Sequence, residues 1–218
     1  MVSFNLENLY NMLLSYHGNQ KWWPAETAFE VVVGSILTQN TNWNNVEKAI
    51  NNLKTIDLLE PEKILSLPSD CLKKFILPAG FYNQKTERLK IISSFIIKEL
   101  KGNIKNLKKY APQIARKKLL NLKGIGFETA DSILLYAADI PVFVIDSYTK
   151  RLVRRLYTLE TTDYHALQNI FMNNLAKSVN IYKEYHALIV EHSKILCRNK
   201  PLCHKCFIKN FCSYFLLI

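Results

Sequence analysis

The chain has 218 residues, 49% of them hydrophobic, which is enough to bury a core in one large domain or two small ones without disulfide staples. Twenty-nine Lys and Arg against 18 Asp and Glu give a net charge of +11, which favours a polyanionic partner, nucleic acid before an anionic membrane surface. No apolar run reaches the length of a membrane span and the first residues lack the features of a secretory signal, so a cytoplasmic protein is expected, nucleoid-associated in a bacterium.

In chain order, Phe4, Leu6, Leu9, Tyr10, Leu13 and Leu14 line one face of a first helix. Pro24 predicts the first turn of a second, whose apolar face is Phe29, Val32, Val33, Ile36 and Leu37. Leu89, Ile92, Phe95, Ile96 and Leu100 repeat the period, as do Ile133, Leu134 and Ala137, and then Leu167, Ile170, Phe171 and Leu175. Strand alternation is nearly absent. Pro61, Pro68, Pro78, Gly80, Gly102, Pro112, Gly124, Gly126 and Pro141 cut the chain into ten to twelve short helices, so the fold class is all-α. No linker or repeat interrupts it, and chain crossovers are expected to divide the domains.

Residues 115–138, ARKKLLNLKGIGFETADSILLYAA, predict helix, tight turn and helix. Gly124 and Gly126 flank Ile125, which anchors the turn inward while the glycines permit positive φ and close approach to a surface. Outward backbone N–H groups at Lys123, Gly124, Ile125, Gly126 and Thr129 suit a phosphate, with Lys117, Lys118 and Lys123 supplying charge. Such a grip on the DNA backbone is independent of base sequence.

The pattern LKGIGFETADSIL and the downstream Asp146 resemble the helix-hairpin-helix and Gly/Pro-Asp segment of the endonuclease III superfamily of DNA glycosylases. GFYNQK at 80–85 is similar to that family's GxYxxK turn, and ILTQNTNWNNVEKA at 36–49 to its helix near the minor-groove wedge, which places Gln39 and Asn40 as the wedge. The resemblance runs over nearly the whole chain. It implies two helical domains flanking a DNA-binding cleft: a six-helix barrel at 22–140 carrying the hairpin at about 115–138, and a second domain from 1–21 plus 141–218 with a cysteine-rich C-terminal loop. The implied partner is double-stranded DNA with a damaged base, and a monomer is expected.

The reaction class follows from two positions. Breaking the bond between deoxyribose and a base builds positive charge on the sugar, and one carboxylate, Asp146, can stabilise that charge or activate water. Asp146 also suits an N-cap for the helix SYTKRLVRRL, and both roles can hold. Relatives that also cut the strand carry a lysine where this chain has Glu128. Glutamate forms no imine, so the mechanism implied is monofunctional hydrolysis without AP lyase activity. Lys150, like Lys123, is read as a phosphate contact.

A base taken from the duplex needs an aromatic pocket, for which Trp22, Trp23 and Trp43, with Pro24 and Glu128, are the candidates. Indole faces stack favourably on an electron-poor alkylated purine, so 3-methyladenine is the expected substrate, as in the 3-methyladenine glycosylases of endonuclease III type. The alternatives are a bifunctional glycosylase/AP lyase for oxidised pyrimidines and a noncatalytic helix-hairpin-helix DNA-binding protein. His17, His165, His186 and His192 are read as structural.

Cys197, Cys203, Cys206 and Cys212 are separated by five, two and five residues. The resemblance implies a [4Fe–4S] cluster on cysteines separated by six, two and five. One residue missing from the first loop changes where Cys197 can point, so the expectation is no cofactor and no metal, with the cluster as the alternative.

Overall fold

A computed structural model describes residues 5–159 and 161–217; residues 1–4, 160 and 218, which fall within the expected 1–21 plus 141–218 domain, lie outside the described residues. Among the described residues the structure is helical and holds no β-strand. In chain order come α1 (Leu6–His17), α2 (Ala28–Leu37), α3 (Trp43–Lys54), α4 (Pro61–Ser66), α5 (Ser69–Ile76) and the long α6 (Tyr82–Leu100). Then follow α7 (Pro112–Leu120), α8 (Phe127–Ser132), a π-helical turn over Ile133–Ala137, α9 (Ser147–Tyr157), α10 (Tyr164–Asn174), α11 (Val179–Ile195) and α12 (Ser213–Leu216).

The chain forms two compact units, one from Trp23–Ile140 and the other from Met1–Trp22 with Pro141–Ile218. In the first, α2 is the central helix: every residue from Phe29 to Leu37 is buried, and it packs on α3, α6 and the π-helical turn. A helix buried on all sides belongs inside a domain, and its one charged residue, Glu30, is paired with Lys54 at 2.8 Å. Its start differs from the expected one, because Thr27 is the N-cap and Pro24 lies outside the helix. The Thr27 hydroxyl accepts the Glu30 N–H at 3.0 Å, a stronger start signal than the proline.

The end of α2 is closed by a distant residue. Lys85 is fully buried and its Nζ donates to the carbonyls of Leu37 at 2.9 Å and Ala79 at 2.7 Å. Burial, and then the nearby Arg88 charge, pull its pKa down to about 8. The GFYNQK turn that delivers it has positive φ at Gly80 and Phe81. Its lysine is thus a cap for orphaned helix carbonyls.

In the second unit α1 packs on α11 and α10, and α9 packs on α11 and α12. Phe143 stacks on Phe171 with ring centroids 4.2 Å apart, and the Tyr185 hydroxyl donates to the Leu6 carbonyl at 2.8 Å. The buried run Val142–Ile145 is held in place by the Gln168 amide, which donates to the Phe143 carbonyl at 2.6 Å. That run ends at Asp146, so the core of this unit fixes where the acid sits.

Candidate functional site

The hairpin joins α7 to α8. Ile125 is buried, as an anchor requires, and its N–H donates to the Leu122 carbonyl at 3.1 Å. Only one of the two glycines uses its conformational freedom as expected. Gly124 has φ +83°, whereas Gly126 has φ −92° and ψ 179°, an extended conformation that any residue adopts. The reason is positional: Gly126 is the N-cap of α8, and an N-cap is extended. A Cβ there would meet nothing within 4 Å.

The side chains around the turn are committed in ways the sequence did not disclose. Lys123 pairs with Glu87 of α6 at 2.6 Å. Thr129 is buried, and its hydroxyl accepts the Gln39 amide at 2.9 Å. The same amide also donates to the Gly124 carbonyl at 3.2 Å, and Arg88 Nη1 donates to Gln39 Oε1. Asn40 follows with φ +54° and is exposed. The structure thus ties Gln39 to the hairpin and leaves Asn40 at the tip of the loop.

Two of the three tryptophans are neighbours within one unit. Trp23 and Trp43 meet edge to face at 5.4 Å, and Tyr136, on the π-helical turn, joins Trp23 at the same distance. Tyr136 was not singled out in the sequence because it reads as one more residue of an apolar helical run. The Trp23 indole lies on α2 at Gly34, where a Cβ would come within 3.1 Å of Cζ2. Trp22 belongs to the other unit, where the Lys194 ammonium lies 5.4 Å from its ring. Pro24 is exposed, as is Glu128 in the first turn of α8.

Asp146 is 8% exposed and is the N-cap of α9. Its Oδ1 accepts the Thr149 N–H at 2.7 Å, and its Oδ2 lies 3.4 Å from His186 Nε2. Burial alone would raise its pKa, but the His186 contact and the Thr149 N–H outweigh it and hold the carboxyl below the usual carboxylate range. A buried acid is therefore kept ionised, the state needed to face a developing cation. His186, read from the sequence as structural, is the side chain at the second carboxylate oxygen. Lys150, one turn into α9, lies over the Tyr164 ring at 5.8 Å.

All four C-terminal cysteines are half-buried and line one small cavity of about 20 Å³, together with Leu152, Leu196 and Ile208. The short first loop does not turn Cys197 away. Arg155 Nη1 donates to the Cys197 carbonyl at 3.3 Å and to the Arg198 carbonyl at 2.6 Å, and lies 3.4 Å from Cys197 Sγ. Burial, and then the neighbouring cysteines, push the Cys206 thiol up to about 11. Among the described residues no group of three or more His, Cys, Asp or Glu converges on a single metal ion. Four thiols lining one apolar cavity match in number and element the donors that a four-iron cluster takes, one at each of its corners. The residues fit that group. Beside them His192 is buried, with its Nδ1 3.2 Å from His17 Nε2, and burial followed by the His17 charge lowers its pKa to about 4.

Residues 33–177 match the model of the HhH-GPD superfamily of base excision DNA repair proteins, and the chain belongs to that family. It is 56% identical over 207 residues to a protein of Methanocaldococcus jannaschii named provisionally as a DNA repair glycosylase, covering 94% of each. It is 27% identical to endonuclease III of Thermotoga maritima, over 86% of this chain and 83% of that one. Among solved structures it is similar to the 3-methyladenine DNA glycosylase MagIII of H. pylori bound to 1,N6-ethenoadenine, at 32% identity and a TM-score of 0.78, over 88% of this chain and 98% of that one. An endonuclease III–DNA complex shares the fold with a TM-score of 0.81 at 17% identity, over 97% and 95% of the chains. No helix among the described residues is long and apolar enough to cross a membrane.

Proposed function

We propose that the protein is a monofunctional DNA N-glycosylase that flips a damaged base from duplex DNA and releases it by hydrolysis, with an alkylated purine, 3-methyladenine first, as substrate. The observation that carries the reaction is the buried Asp146, which caps α9 through the Thr149 N–H and has His186 at its other oxygen. As the bond from C1′ to the base nitrogen breaks, its electron pair leaves with the base and the sugar becomes cationic. The fixed carboxylate stabilises that charge, water adds at C1′, and the water's proton passes to the carboxylate or solvent. Glu128 in place of an amine supports hydrolysis rather than imine formation.

The substrate reading rests on the aromatic group of Trp23, Trp43 and Tyr136 and on the 32% identity to the H. pylori 3-methyladenine glycosylase. A cationic 3-methyladenine leaves as a neutral base, so no general acid is required. Trp22, Pro24 and Glu128 are assigned to the pocket, Lys123, Lys150 and the hairpin backbone to phosphate, and the protein to a monomer. A [4Fe–4S] cluster on Cys197, Cys203, Cys206 and Cys212 is supported by their shared cavity, against the expectation from loop length. It would cross-link the 197–212 segment, and the hydrolysis draws on none of its chemistry.

Base release from duplexes carrying 3-methyladenine, an oxidised pyrimidine or a deaminated pyrimidine, resolved by chromatography, tests the reading. Release of 3-methyladenine with an intact abasic strand is expected. Preferential release of either pyrimidine overturns the substrate assignment, and a borohydride-trapped protein–DNA adduct overturns the monofunctional one.

A further inference from the structure

Gly124 is the one residue of the hairpin turn with positive φ, and its missing side chain is not empty space. A Cβ built there would overlap the Arg88 side chain, coming within 2.7 Å of Cδ and 2.8 Å of Cγ. Arg88 comes from α6, far from the hairpin in sequence, and is half-buried against the turn. Its Nη1 donates to Gln39 Oε1, and the amide of that same Gln39 donates to the Gly124 carbonyl at 3.2 Å and to Thr129 Oγ1 at 2.9 Å. The result is a closed chain of contacts running from α6 to the loop after α2, on to the hairpin, and back.

We propose that Arg88 is a positioning residue for DNA binding, which with Gln39 forms a strut that holds the hairpin turn in its gripping shape and leaves Asn40 as the residue that enters the duplex. The proposal rests on the reading of the hairpin as a grip on the DNA backbone. Both ends of the Gln39 amide are spent inside the protein, its oxygen on a guanidinium and its nitrogen on the hairpin. Inserting Gln39 between bases breaks three hydrogen bonds and frees the turn at the moment it must hold a phosphate. Asn40, exposed at positive φ, inserts without that cost. A planar guanidinium suits the strut because it donates in a fixed direction, which an ammonium does not.

The test measures binding to a duplex with a tetrahydrofuran abasic analogue at several salt concentrations, with circular-dichroism melting run alongside. Arg88→Ala and Gln39→Met should each weaken binding about tenfold, and the double variant no more than the weaker single, because both cut one strut. The dependence on salt should keep its wild-type slope, since no phosphate contact is lost. Arg88→Lys should not restore affinity. Asn40→Ala should lower the fluorescence of a flipped 2-aminopurine more than it lowers affinity. Additive losses, a salt slope reduced by about one in Arg88→Ala or rescue by Arg88→Lys would make Arg88 an ordinary phosphate contact and overturn the strut. If Arg88→Ala fails to fold, the near-isosteric Gln39→Met carries the same comparison. A wild-type protein that binds no DNA overturns the grip itself, and that failure shows before any variant is made.

Discussion

His186 Nε2 lies 3.4 Å from Oδ2 of Asp146, while the other carboxylate oxygen caps α9 through the Thr149 N–H. The acid is thereby oriented from two sides and kept charged in a buried position where water would otherwise have to do both. Capping and catalysis are compatible readings of this residue: the cap aims the carboxylate, and the cap's N–H helps hold it ionised.

Asp146→Asn should cut single-turnover excision by about 10²- to 10³-fold, the range for loss of one electrostatic group at a reacting centre, while affinity for abasic-analogue DNA stays near wild type. An amide oxygen still accepts the Thr149 N–H, so α9 keeps its cap and melting should change little. Parallel loss of binding and melting temperature would assign Asp146 to the cap alone.

His186→Ala removes the contact that most strongly opposes the effect of burial on Asp146, so its carboxyl pKa should rise. In the wild type the depressed carboxyl contributes stability above the unfolded carboxylate value, about 3.9, and that contribution is lost as pH falls through the lower folded value. The acid limb of the excision profile should accordingly move to higher pH in the variant, with the rate at pH 8 affected least. An acid limb at the wild-type position would show that His186 serves packing only.

The helical class, the hairpin and the place of Asp146 were legible because each is local: a period, a glycine turn and a distance along the chain. What was not legible depends on partners distant in sequence. Lys85 reads as the last residue of a GxYxxK turn, yet it is buried to cap α2, 48 positions away. Gln39 and Arg88 meet only once α2 and α6 are packed. Trp22 and Trp23 are adjacent in sequence, and nothing in their types says that one lies against Lys194 and the other against Gly34.

That divergence gives a prediction. Trp23→Ala removes a half-buried indole packed on α2, Trp43 and Tyr136, and should cost about 3 kcal/mol, the low end for large core truncations. Trp22→Ala removes a half-buried ring on which the Lys194 ammonium lies, and loss of that contact should cost on the order of 1 kcal/mol. Thermal melting separates the two. Equal costs would show that the aromatic group around Trp23 is not part of the first unit's packing. If Trp22 also walls the base pocket, its variant should lose excision of 3-methyladenine out of proportion to its small loss of stability.

The cysteine loop supplies the last prediction. A first gap of five residues reaches the same cavity as the other thiols because two arginines of α9 gather it inward. Arg151 donates to the carbonyls of Cys197 at 2.9 Å and Ser193 at 3.1 Å, and Arg155 donates to those of Arg198 and Asn199 at 2.6 Å and 3.0 Å. Charge-assisted bonds to consecutive carbonyls fix the path of the backbone, so the direction of Cys197 no longer depends on loop length. Protein purified without oxygen, or reconstituted with iron and sulfide, should be brown and carry iron and sulfide in equal amounts. Cys197→Ser should abolish the colour. Arg155→Ala should assemble the cluster but lose iron faster in air, because the loop that aims one ligand is released while all four thiols remain. A colourless wild-type protein after reconstitution would return the four cysteines to the role of reduced packing residues, and the arginines to simple loop anchors.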